Sequence, residues 1–316
     1  MATTRIISID GGGVRGVVPT IVLQRLEADP RLAGWLDRTD LFAGTSTGGL
    51  IALALAGGLG LAEVRRLYEE RAARVFADSW FDDVRDLGKI LGADYSVGNL
   101  RRELVDVFGD TRLDQLERRV LVTAFDLDNE KPTMRTWKPK IFHNYPGPDS
   151  DGTELAAKVG VYTSAAPTYF ASEDGFVDGG VFANNPSMCA LALTQDERIP
   201  TVERCELHEI RMLSLGTGRS LEHIEGERHD WGYLQWVRPL IAIMLDGVNG
   251  IADYQCSQIL GRRYFRLAPT FAPGTTISMD DIDMIPELVA FAHSLDLERL
   301  VAWIADTWGT SAGGGA

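Results

Sequence analysis

A chain of 316 residues with 45% hydrophobic and 24% charged side chains has the composition of a soluble globular protein with one large core. Its 31 basic against 45 acidic residues give a formal charge of −14, which argues against a nucleic acid polymer as partner and against long-range attraction to anionic lipid. Three cysteines, Cys189, Cys205 and Cys256, lack C-x-x-C spacing. They read as reduced thiols rather than a disulfide framework, so a cytoplasmic location is expected.

The first apolar run, ending at Asp10, is too short for a signal peptide. Arg5–Ile9 reads as a strand stopped by the turn Asp10-Gly11-Gly12-Gly13-Val14-Arg15-Gly16. Val18, Val22 and Leu26 at four-residue spacing, with Pro19 near the start, predict a helix over Val17–Glu27. Asp40–Ala43 leads into Gly44-Thr45-Ser46-Thr47-Gly48, and Leu50–Ala56 reads as a nearly all-apolar helix capped by Gly57-Gly58. Leu41–Ala62 carries no charge and is long enough to span a bilayer, but its six glycines favour a strand, a turn and a buried helix.

Helices are predicted over Leu61–Phe76, Gly98–Phe108 and Glu154–Ser164, the last stopped before Pro167. Asn185-Pro186 has the chemistry of a helix start for Ser187–Thr194. Arg119–Phe125, Thr133–Trp137 and Glu209–Leu215 read as strands, the third ending in Gly216-Thr217-Gly218. Beyond residue 219, Leu234–Leu245 and Ile285–Trp308 look helical, with one short strand at Tyr264–Leu267. The expected fold class is α/β: a mostly parallel central sheet sandwiched by helices, with a mainly helical C-terminal part. The division expected is a catalytic core over 1–218 and a C-terminal part over 219–316 packed on it.

Three turns leave the carboxyl ends of strands, where α/β folds place their sites. Gly44–Gly48 is a G-x-S-x-G nucleophile turn with Ser46 as attacking hydroxyl. Backbone N–H groups of Gly11, Gly12, Gly13 and Val14 are the oxyanion donors expected, and glycine there lets the backbone approach an acyl group without a Cβ in the way. Asp178, in Asp178-Gly179-Gly180, offers a carboxylate as base. Arg15 is a candidate substrate-binding cation, although it could equally anchor its own turn. Gly11-x-Gly13-x-x-Gly16 also matches a dinucleotide fingerprint, but Asp37 and Asp40 precede the next strand instead of ending it. No metal-ligand spacing is present, and no cofactor is expected.

Asp10–Gly16, Gly44–Gly48 with Leu50, Ser164–Phe170, Asp178–Gly180 with Asn184-Asn185-Pro186, and Leu213–Gly218 together resemble the patatin-like phospholipases. That resemblance implies a Ser46–Asp178 dyad without a catalytic histidine, an oxyanion loop over Gly11–Gly13, and Ser164–Phe170 near the dyad. It implies hydrolysis of acyl esters of phospholipids or other lipids, with peripheral contact with a membrane. Homo-oligomerisation and a small-molecule activator stay open. An α/β-hydrolase with a Ser–Asp–His triad would need His208, His223, His229 or His293, none in a glycine-rich or strand-end context. A catalytically idle lipid-binding or storage protein is the third reading. Trp80 and Phe81 could edge a lid, but burial in a core is the preferred reading for such aromatics.

Overall fold

A computed structural model describes residues 3–71, 97–167, 169–221, 223–224 and 232–309. The segment carrying Trp80 and Phe81 lies outside the described residues. Strands β1 (Thr4–Ile9), β2 (Leu41–Thr45), β3 (Arg119–Asp126), β4 (Lys138–His143), β5 (Phe176–Asp178), β6 (Ile210–Leu215) and β7 (Tyr264–Leu267) form one sheet, ordered β4-β3-β2-β1-β6-β7 with β5 on β3. Pairings among β1, β2, β3, β6 and β7 are parallel; β4 and β5 run antiparallel to β3.

Both faces of the sheet are buried, which is why its strands read as continuous apolar runs. Ile7, Ile9, Phe42, Val120, Val122, Leu213 and Leu215 face one core, shared with helices α1 (Val17–Glu27), α2 (Thr47–Ala56), α3 (Leu61–Arg66), α4 (Val97–Phe108) and α5 (Ala156–Ser164). Ile6, Leu41, Ala43, Leu121, Ile210 and Met212 face the other, under α7 (Ser187–Thr194) and α8 (Tyr233–Leu260), while α6 (Gly180–Ala183) follows β5 directly. α2 is buried along almost its whole length, which accounts for the uncharged stretch. No described helix is long and apolar enough to cross a membrane.

Three segments differ from the sequence expectation. Thr133–Trp137 is loop, and the strand is the following Lys138–His143. The Asn129 amide explains this: its Oδ1 accepts the Thr136 N–H (3.2 Å) and its Nδ2 donates to the Met134 carbonyl (3.0 Å), diverting backbone groups from a ladder. The helix expected over Leu234–Leu245 continues to Leu260. The one expected over Ile285–Trp308 is two, α9 (Ile285–Ser294) and α10 (Glu298–Thr307). Arg25 donates to the Ala292 and Leu295 carbonyls at the first end (2.8 and 2.9 Å), and Asp296 accepts the Glu298 N–H at the second start (3.0 Å).

β7 lays Arg266 beside the end of β1. Its Nη1 donates to Asp10 Oδ1 (2.8 Å) and Ser214 Oγ (2.8 Å), and Nη2 completes a two-pronged pair with Asp10 Oδ2. Burial pushes the Asp10 carboxyl up and the Arg266 guanidinium pulls it back. Removing one partner of a buried pair leaves the other charge uncompensated, whereas removing both does not. Arg266→Met is therefore expected to destabilise the fold by about 3–5 kcal/mol in urea unfolding, and Asp10→Asn/Arg266→Met to recover most of that loss. Equal stability of Arg266→Met and the parent would contradict the pairing.

Candidate active site

Sheet register brings the serine and the aspartate together. β2 accompanies β3 only to Thr45, opposite Thr123. β4 occupies the other side of β3 from Leu121 to Asp126. β5, which pairs with Ala124–Asp126, therefore lies on the β2 side, just beyond the end of β2. Asp178 sits opposite Ala124, the place a continued β2 would give residue 46. Ser46 instead turns aside, with φ 54° and ψ −126°, and α2 starts at Thr47. Its side chain adjoins the Asp178 carboxylate and opposes the upward shift of that carboxyl.

A non-glycine residue in that conformation costs roughly 1–3 kcal/mol and persists only where its surroundings hold it. Here Thr163 Oγ1, at the end of α5, accepts the Ser46 N–H at 2.7 Å. The flanking glycines are there for space: a Cβ on Gly44 would lie 2.0 Å from the Gly48 carbonyl oxygen, and one on Gly48 2.2 Å from that of Ile9. Asp178 is buried, and desolvation pushes its carboxyl up to about 6 against the opposing Gly180 N–H bond (2.7 Å to Oδ1) and the neighbouring Ser46 side chain. The Ser164–Phe170 block adjoins it, since the Ala165 carbonyl accepts the Asp178 N–H (2.9 Å).

Of the four residues expected as oxyanion donors, two have their N–H groups engaged. Gly11 donates to the Asn184 carbonyl (3.0 Å) and Val14 to that of Met279 (2.8 Å). The N–H groups of Gly12 and Gly13 have no acceptor among the described residues. The turn lies against the serine: a Cβ on Gly11 would be 3.3 Å from Ser46 Cβ. Glycine at position 13 has a different reason from the one expected. Its φ is +57°, and a Cβ would fall 1.9 Å from the Met279 carbonyl oxygen, so backbone packing already forbids a side chain there. Arg15 donates from Nε to the Gly12 carbonyl (3.3 Å), anchoring its own turn.

Two of the histidines stand away from the pair, and no described histidine contributes to the surroundings that shift Asp178. His143 faces Leu121 towards the opposite end of β3, and His208 precedes β6 at the amino edge. His229 lies outside the described residues. Asp40, the acid a dinucleotide site would need, is also at the amino edge, where Oδ2 accepts the Arg5 N–H (2.7 Å).

The family model for patatin-like phospholipases matches residues 7–191. The chain belongs to that family, whose members are lipid acyl hydrolases. It is 28% identical over 339 residues to the CotR protein of Bacillus subtilis, covering 98% of this chain and 100% of that one. It is likewise 28% identical over 323 residues to Patatin-2-Kuras 4 of Solanum tuberosum, covering 87% of this chain and 81% of the other. Among solved structures, VipD from Legionella pneumophila aligns with a TM-score of 0.41 at 12% identity, over 92% of this chain and 67% of that one.

Thr163, Asn249, Arg266 and the Met279 carbonyl were not legible as site residues. Asn249 of α8 accepts from Asn184 Nδ2 (3.2 Å), and Asn184 in turn holds Gly11. Only Thr163 has a sequence signal, as the immediate neighbour of the Ser164–Phe170 block.

Thr163→Val keeps the side-chain shape but loses the acceptor for the Ser46 N–H. The expected result is a fall in kcat of about tenfold with KM little changed, and Thr163→Ser should restore it. Unaltered kcat in a folded Thr163→Val protein would contradict the holding role. A second expectation concerns stability. The folded pKa of Asp178 lies above the ordinary aspartate value, so its charge opposes folding, absent below about pH 4 and fully present above about pH 6. Asp178→Asn should thus raise the thermal midpoint at pH 8, by up to about 3 kcal/mol of stability, and leave it unchanged near pH 3.5.

Proposed function

We propose that the protein is a serine lipid acyl hydrolase of phospholipase A type, working through a Ser46–Asp178 dyad. The observation that carries this reading is a strained Ser46 set beside a buried Asp178, next to two N–H groups without acceptors among the described residues. Asp178, pushed up to about 6, remains ionised at neutral pH yet is a better base than an exposed aspartate. Ser46 Oγ attacks the acyl carbon as its proton passes to Asp178, and the carbonyl oxygen becomes an oxyanion held by the Gly12 and Gly13 N–H groups. The start of α2 favours the same negative charge. Collapse expels the alcohol, which takes the proton from Asp178. Water then attacks the acyl-serine with Asp178 again as base, releasing the fatty acid.

Lipid esters suit this arrangement because their alkoxide leaving groups depart more readily than amines. Arg15, beside the donor turn, is assigned to the substrate phosphate, with its Nε bond to Gly12 fixing its direction. Three free cysteines support a reducing, cytoplasmic setting. A Ser–Asp–His triad is disfavoured by the positions of His143 and His208, and an idle storage protein by the maintained strain at Ser46.

Ser46→Ala and Asp178→Asn are each expected to lower hydrolysis of a short-chain p-nitrophenyl ester by at least about 10³-fold while both proteins stay folded. In the parent, kcat/KM should fall on the acid side with a midpoint near 6, as Asp178 becomes protonated. Single replacements of His143, His208, His223, His229 and His293 should leave activity within about tenfold. Full turnover by folded Asp178→Asn, or loss of several orders of magnitude at one histidine, would overturn the dyad.

A further inference from the structure

The loop between β3 and β4 stands at the carboxyl edge of the sheet. It begins at Leu127, three residues past Ala124, the partner of Asp178. Its tip is built. Asn129 accepts the Lys131 and Thr136 N–H groups (3.1 and 3.2 Å) and donates to the Met134 carbonyl, the Asn129 N–H donates to the Thr136 carbonyl (3.0 Å), and Arg135 pairs with Asp128. This frame holds Met134 and Trp137 outward, each 70% exposed, although burial is the ordinary fate of such side chains. Leu127 on the same loop and Val181, just past the Asp178-Gly179-Gly180 turn, are exposed as well.

The loop and the start of β4 together reverse the charge of the molecule. On the loop Lys131 and Arg135 balance Asp128 and Glu130, and β4 adds Lys138 and Lys140, in a chain with 31 basic and 45 acidic residues. Lys131 and Lys138 are in no ion pair among the described residues. An exposed tryptophan and methionine flanked by lysines match the water–bilayer boundary, where the indole sits at headgroup depth and cations meet lipid phosphate.

We propose that the β3–β4 loop is a membrane-docking element. Met134 and Trp137 enter the headgroup region of an anionic bilayer, Lys131 and Lys138 contact its phosphates, and the Ser46–Asp178 edge is thereby turned towards the lipid. The inference rests on the lipid-hydrolase reading for its purpose, but binding is measured without catalysis. It also limits the argument from net charge, because a local basic patch can engage anionic lipid within a Debye length while the whole chain is acidic.

The test is co-sedimentation of the full chain with vesicles of phosphatidylcholine, alone or mixed with phosphatidylglycerol. Met134→Asp/Trp137→Asp is expected to weaken partitioning at least about tenfold on mixed vesicles. Lys131→Glu/Lys138→Glu should weaken it on mixed vesicles and leave the weaker binding to pure phosphatidylcholine unchanged. Val202→Asp, replacing an exposed side chain at the amino edge, should bind as the parent does. All three variants should turn over a soluble p-nitrophenyl ester at the parent rate. Unchanged partitioning of Met134→Asp/Trp137→Asp would overturn the proposal, as would equal loss in Val202→Asp. A parent dimer that Trp137→Asp dissociates, with vesicle binding intact, would assign the loop to a second copy instead. Absence of ester turnover in the parent alongside loop-dependent vesicle binding would count against the hydrolase reading only.

Discussion

The backbone of Ser46 is the constraint on which the rest of the site depends. Had β2 continued past Thr45, it would have filled the space beside Ala124 and excluded β5. By turning to φ 54° and ψ −126°, Ser46 vacates that space and lets α2 start at Thr47. Asp178 enters from the opposite direction. One strained residue thus produces both the half-buried nucleophile and the room for its base, at a cost of roughly 1–3 kcal/mol. Thr163 and the tight contacts of Gly44 and Gly48 hold the strain in place.

The C-terminal part supplies the other half of the preorganisation. Arg266 fixes Asp10 at the root of the glycine turn, the Met279 carbonyl takes the Val14 N–H, and Asn249 orients Asn184, whose carbonyl takes the Gly11 N–H. With its ends tied, the turn presents the Gly12 and Gly13 N–H groups without acceptors among the described residues. Behind it, Ser187 Oγ lies within hydrogen-bonding distance of Ser8, Ser214 and Asn185, joining β1, β6 and α7 in one buried polar chain that reaches Arg266. Donors fixed in this way need no reorganisation as charge develops, which is where such sites gain most over water.

Much of this was legible in the sequence, for physical reasons. Strands buried on both faces are continuous apolar runs, and turns that must pass close to another backbone are written in glycine, so β1, β2, β6 and the motifs around Ser46 and Asp178 stood out. β5 did not, because three residues between a turn and Gly179 carry no periodicity. Nor did the partition of donors within Gly11–Val14, which depends on carbonyls of Asn184 and Met279, and a backbone carbonyl leaves no mark in residue type. The Asp10–Arg266 pair spans 256 positions, beyond any local pattern. Thr133–Trp137 misled because its β-prone residues were recruited to a loop by the Asn129 amide.

The most direct test of the account is the structure of the protein after reaction with an alkyl fluorophosphonate, whose tetrahedral phosphorus stands for the acyl intermediate. A covalent bond to Ser46 Oγ is expected, with the phosphoryl oxygen about 2.7–3.1 Å from the Gly12 and Gly13 nitrogens. No histidine should lie within hydrogen-bonding reach of the adduct. A phosphoryl oxygen held by other donors, or attachment at another residue, would contradict it.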